Sequence, residues 1–123
     1  MSKIFDEDLA LERTAGDRSL LAEVVRFTLE DVPLQLQSLR QCLAQKDWKE
    51  ASRWAHKVKG SAGACGSDAM YRAALDLEMA TKDSSSESPP LFSSLEKAFV
   101  AFSTHPQVLA LASLDVEADA SIG

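Results

Sequence analysis

Residues 20–43 read LLAEVVRFTLEDVPLQLQSLRQCL, and their apolar spacing decides the fold class. Leu21, Val25, Leu29, Val32, Leu36, Leu39 and Leu43 recur in steps of four and three, which gathers them on one face of an α-helix. Leu20, Val24 and Phe27 widen that stripe on one side. Pro33 lies inside it, where it removes a backbone donor and crowds the preceding turn. The stripe keeps its register across Pro33, so the spacing predicts one bent helix; two helices abutting at residues 31–33 are the other reading. Gln35, Gln37, Arg40 and Gln41 are expected to form a solvated face.

Working outward, Asp6 is placed to cap a short helix ending near Arg13, with Glu7 and Asp8 in its first turn, where acidic groups are favourable. Gly16 suits the position just past that helix, and Asp17 caps the long one. Asp47 is the cap expected for a third helix, running to about Gly63 or Ala64 and broken by Gly66. The short link at Lys46-Asp47 implies an antiparallel neighbour. Ser67 or Asp68 begins a fourth helix through about Lys82, with Met70, Ala74 and Leu77 inward. Residues 83–88 are polar and read as a loop, and Ser88-Pro89 opens a fifth helix marked by Leu91, Leu95, Phe99 and Phe102. His105-Pro106 is expected to end it. Residues 1–105 therefore read as one domain, and 106–123 as an acidic, Ala-rich tail that is either a helical extension or disordered. Alternating strand patterns are absent, which leaves an all-α bundle.

Composition narrows the function classes. The chain has 123 residues, and its formal charge of −6 from 19 acidic and 13 basic side chains argues against a nucleic-acid binder. No apolar run approaches the ~18 residues of a membrane span, and no signal-peptide core is seen, so no membrane insertion is expected. Cys42 and Cys65 fall within apolar patterns and read as buried thiols in a reducing, cytoplasmic setting.

On the third helix, Trp48, Ala51, Ala55, Val58, Ala62 and Cys65 form the buried seam. At about 100° per residue, His56 lies roughly 130° from its centre and faces outward. Ser52, Arg53, Lys59 and Gly60 are its neighbours one turn away, with Lys49 and Gly63 beyond. Gly60 and Gly63 each cost a helix interior about 1 kcal/mol relative to alanine, so their presence beside a histidine needs a reason. A bare backbone leaves room for another macromolecule to reach the ring, and Arg53 and Lys59 bring positive charge to where an anion on the ring would sit. With no carboxylate or metal ligand expected nearby, the arrangement suits capture of a phosphoryl group better than proton shuttling. A metal site from Cys42, His56 and Cys65 is not expected, since His56 and Cys65 face opposite ways. His105 reads as a helix-end residue. Asp76 and Glu78 lie two apart on one helix and do not face each other, so they form no acid–base pair.

Ala55-His56-Lys57-Val58-Lys59-Gly60-Ser61, its sequel Ala62-Gly63-Ala64-Cys65-Gly66-Ser67, and Leu77-Glu78 resemble the signature of the histidine phosphotransfer (HPt) domain family. The resemblance covers residues 5–103, including Gly16-Asp17 and the stretch from Phe27 to Pro33. Val58, Cys65 and Ser67 depart from the commoner residues at their positions. The resemblance implies an antiparallel four-helix bundle with a short extra N-terminal helix, acting in a two-component phosphorelay. It implies that His56 is phosphorylated and that Lys59 holds the phosphoryl oxygens. Gly60, Gly63, Ser61, Arg53, Lys57 and Ser52 are assigned to clearance and docking. It implies no cofactor of the chain's own and no enzyme activity, Mg²⁺ coming with the partner. That partner would be a response-regulator receiver domain or a hybrid sensor histidine kinase, and the chain itself a monomer. The alternative is a non-phosphorylated helical adaptor that binds a receiver or kinase domain.

Overall fold

Helix caps written locally in the sequence set the boundaries of the observed elements. The computed structural model describes residues 2–84 and 87–114. Among them run α1 (Glu7–Arg13), α2 (Arg18–Ala44), α3 (Trp48–Ala64), α4 (Asp68–Lys82), α5 (Ser88–Ser103) and α6 (Pro106–Ser113), with no strand. Asp6, Asp17, Asp47 and Ser67 each accept a hydrogen bond from the backbone N–H three residues on, which satisfies one orphan donor at each start. Of the two cap candidates for α4, Ser67 does the work. Pro33 lies within an unbroken α2, so the single-helix reading holds.

α2 packs on α3, α3 on α4, α4 on α5, and α5 returns to α2, which closes a four-helix bundle. Its interior is filled by Leu21, Val25, Leu39, Val58, Leu77 and Phe102, among others, all without exposed surface. On α3 the buried seam is mostly small: Ala51, Ala55, Val58 and Ala62. α1 lies over the α3–α4 turn. There Gly66 has φ +78°, and a β-carbon would meet Ala10 Cβ and the Asp6 carbonyl oxygen, each at 2.8 Å. Both the left-handed backbone and the close approach require glycine at this turn.

Three residues of α2 depart from expectation. Gln35 is buried rather than solvated, its side-chain amide donating to Asp31 Oδ2 at 2.6 Å. Phe27 and Leu20, expected to widen the buried stripe, are 63% and 42% exposed. Periodicity orients a residue on its own helix, whereas neighbouring helices decide which flank of the stripe is covered; here Phe27 borders an open groove between α2 and α3.

The core also continues past residue 105. His105 accepts a hydrogen bond from the Gln107 N–H at 3.2 Å and so starts α6 rather than merely following α5. Val108 and Leu111 are fully buried as α6 packs on α2, and Arg26 Nη1 donates to the Leu114 carbonyl at 2.9 Å. Residues 106–113 are thus helical; 115–123, the rest of the stretch expected to be a tail, lie outside the described residues. Leu111→Ala is expected to cost about 2–5 kcal/mol in urea unfolding, the range for a fully buried leucine. A frayed extension would lose no more than about 0.5 kcal/mol.

Candidate functional site

His56 lies on the outer face of α3 with 66% of its side chain exposed. Its ring is not free of partners. Nδ1 is 3.1 Å from Glu78 Oε2, a carboxylate reaching across from α4. The expectation that no carboxylate stands near His56 is therefore corrected. Leu77 points into the core, and Glu78, one residue round the helix, points at α3, where only 7% of its side chain is exposed.

Glu78 gathers three groups. Lys59 Nζ is 2.8 Å from its Oε1, and His56 Nδ1 and Lys82 Nζ share its Oε2, the latter at 3.5 Å. Burial alone would raise the Glu78 pKa, but contact with Lys59 and then with His56 outweighs it and holds the carboxyl below its usual range. The bond to Glu78 pushes Lys59 the other way, above the usual lysine value, against the opposing effect of its own burial. Lys59, with 18% of its side chain exposed, is thus committed to an internal ion pair rather than poised in solvent.

The tautomer of His56 follows. An ionised carboxylate only accepts hydrogen bonds, so Nδ1 must carry the proton and donate. That leaves the lone pair on Nε2, the ring nitrogen turned away from Glu78. Ionised Glu78 thereby presents an outward nucleophile on a fixed ring.

The other residues singled out from the sequence divide between the two flanks of α3. Ser52, Arg53 and Lys57 line a shallow cleft of about 290 Å³ with His56 and Glu78. Arg53 is paired with Glu50 at 2.7 Å, and the Lys57 Nζ sits 4.4 Å from the Trp54 ring centroid. Gly60 and Ser61 face α2, lining a groove of about 460 Å³ with Glu23, Val24, Phe27, Thr28 and Ala64. A β-carbon at Gly60 would meet nothing within 4 Å. Gly63 differs. A β-carbon there would lie 3.3 Å from Arg13 Nη1 and 3.6 Å from the Tyr71 ring, and Arg13 donates to the Gly63 carbonyl. Internal packing therefore accounts for Gly63, and open space surrounds Gly60.

Away from this site both thiols are held protonated. Burial pushes Cys65 up to about 11, and burial followed by the nearby Asp47 and Glu50 carboxylates raises Cys42. Glu78 and Lys82 are the site residues to which the sequence assigns no role beside His56, Glu78 entering within the Leu77-Glu78 match and Lys82 as the end of α4. On α4 itself Glu78 has Asp76 two positions away facing elsewhere, whereas its two nearest partners, Lys59 and His56, come from α3. The one local signal is the four-residue step from Glu78 to Lys82, which puts both on one face.

A family model for the Hpt domain matches residues 23–112, which takes in α3, α4 and α5 whole together with most of α2 and α6. The chain belongs to the Hpt domain family. Compared with curated proteins and with solved structures, it gives no significant match. Hpt domains have a phosphotransfer role in two-component systems, as phosphocarrier modules rather than catalysts, and interact with response-regulator or kinase domains. Among the described residues, no helix is long and apolar enough to cross a membrane.

The coupled titrations of this Hpt domain give a pH signature. Glu78, its pKa lowered on folding, adds stability above its ordinary value of 4.5 and loses it as pH falls through the lowered one. Lys59, its pKa raised, adds stability below 10.5 and loses it as pH rises through the higher value. The titratable groups facing this pair are His56, Lys82 and Tyr71. Glu78→Gln is expected to lower unfolding free energy by about 1–3 kcal/mol at neutral pH. The gap to wild type should shrink below pH 4.5 and above pH 10.5. Denaturant unfolding across that range checks it, and a gap independent of pH would show that the pair is not the cause.

Proposed function

We propose that His56 is the phosphoryl-carrying residue of a phosphorelay, exchanging the group with the aspartate of a response-regulator receiver domain. The observation that carries this reading is the fixed ring: exposed, with Nδ1 donating to buried Glu78 and the Nε2 lone pair outward. In the accepting direction, Nε2 attacks phosphorus as the acyl phosphate P–O bond of the receiver breaks, and that electron pair returns to the aspartate carboxylate. Nδ1 keeps its proton, and the positive charge that develops on the ring lies against Glu78. The donating direction reverses each of these events.

Partner access supports the same reading. Gly60 weakens a helix interior, yet no internal neighbour needs its missing side chain. The adjoining groove exposes Phe27 and Val24 at the α2–α3 seam, an apolar surface on which a receiver can settle with its aspartate over His56. Ser61 lies on the wall of that groove, while Arg53, Lys57 and Ser52 border the ring on the cleft side. Lys59 serves the phosphoryl group through Glu78, by keeping that carboxylate ionised. The residues around His56 do not suit a cation, because Glu78 is already ion-paired and Arg53 and Lys57 share its cleft. Mg²⁺ is accordingly assigned to the receiver, and the setting to the cytoplasm, where receivers and kinase domains meet.

Incubating the protein with a phosphorylated receiver and Mg²⁺ should yield acid-labile, alkali-stable phosphate on wild type and none on His56→Gln. Equal labelling of the two would refute the assignment. Binding without labelling would instead favour the adaptor alternative. Gly60→Gln should slow transfer by about tenfold or more, as a blocked approach does. Gly60→Ala should raise unfolding free energy by up to about 1 kcal/mol. Normal transfer by Gly60→Gln would remove the clearance argument.

A further inference from the structure

The charges around His56 do not balance in the unphosphorylated protein. Glu78 supplies one negative charge, and Lys59, bound to Oε1 at 2.8 Å, already matches it. Lys82 approaches Oε2 as a second, surplus cation. Its separation of 3.5 Å is longer than the about 2.7–2.9 Å of a firm charge-assisted bond. Its side chain is 64% exposed, against 18% for Lys59. Lys82 occupies the last residue of α4, one turn beyond Glu78 on the same face. It shares with the imidazole a single carboxylate oxygen, so it stands beside the ring.

Building on the proposed phosphorylation of His56, we propose that Lys82 is the cation that closes on the phosphoryl group and holds it there. A phosphoryl group brings about two negative charges to the outward edge of the ring. Lys59 cannot answer them without stranding a buried carboxylate, whose lost partner would cost more than the new contact returns. Lys82 can leave Glu78 at little cost, because its own ammonium is largely in solvent and its contact is the longest of the three that Glu78 makes. Glu78 keeps Lys59 and His56 throughout. The two lysines thus divide the labour: Lys59 maintains the carboxylate that fixes the ring, and Lys82 meets the phosphate.

A bland reading exists, since a lysine in the last turn of a helix is favourable through the helix dipole alone. Only a measurement on the phosphorylated protein separates the two. Phosphoramidate serves as donor, so that no partner surface enters. Its P–N bond breaks, ammonia leaves, and the new P–N bond forms at Nε2 while Nδ1 keeps its proton. Hydrolysis of the resulting phosphohistidine is then followed at neutral pH, and the ionisation of its phosphoryl oxygens by phosphorus NMR. Lys82→Ala should shorten the half-life by about three- to tenfold and Lys82→Glu by more, with Lys82→Arg close to wild type, the scale of one partly exposed ion contact. The phosphoryl titration midpoint should rise in Lys82→Ala, and its half-life should lose most of its salt dependence. Lys97→Ala, an exposed lysine on α5, should behave as wild type. A purely structural Lys82 would shift none of these readouts. Labelling of His56 with unchanged half-lives and midpoints in Lys82→Ala and Lys82→Glu would overturn the role of Lys82 and leave His56 as carrier. Failure of wild type to be labelled by either phosphoramidate or a phosphorylated receiver would overturn both.

Discussion

Burying the Glu78 carboxylate between α3 and α4 carries a desolvation cost, and the groups that reach it make the burial tolerable. Lys59 supplies the charge, and His56 completes the coordination of the second oxygen. The consequence runs outward. Because Glu78 is ionised, the imidazole has one available tautomer and one orientation, so a surface histidine becomes a defined nucleophile without a pocket around it. An exposed histidine on an unpartnered helix face would rotate about both its side-chain bonds and present either nitrogen.

That contact depends in turn on the packing of α3. Its buried seam of Ala51, Ala55, Val58 and Ala62 is narrow, which lets neighbouring helices approach closely. α4 is near enough for a glutamate to span the gap and still end against the ring. Larger residues in the seam would hold α4 away and leave Glu78 to water. The small residues around His56 therefore act at two levels, through helix spacing on the buried side and through access on the open side.

Much of this was legible in the sequence wherever the determinant is local. The apolar rhythm from Leu21 to Leu43, the caps at Asp6, Asp17, Asp47 and Ser67, and the turn at Gly66 each involve residues a few positions apart. The outward direction of His56 follows from 100° per residue and the position of Ala55 and Val58. What could not be read is set by residues distant in the chain. Glu78 meets His56 across 22 positions, and a search along α4 alone finds it no partner. Gln35 and Phe27 depart from their expected environments because the packing of neighbouring helices, and not the period of α2 alone, decides which flank of the stripe is covered. α6 looked like a tail because its Ala-rich composition is weakly patterned, while its burial comes from the α2 surface beneath it.

The two glycines beside His56 show how the flanks of α3 have separate duties. Both looked alike in sequence, as unexplained weaknesses in one helix. Gly63 turns towards α4, where Arg13 and Tyr71 occupy the space a side chain would take, so its cost is offset inside the molecule. Gly60 turns towards α2 and faces open space, so nothing inside the molecule offsets it. The α4 flank thus holds and charges the ring, and the α2 flank is left clear beside an exposed phenylalanine. A partner arriving on the α2 flank can reach the Nε2 edge without disturbing the carboxylate behind it. Separating the two flanks lets one histidine be held on its Glu78 side and still face solvent on the other.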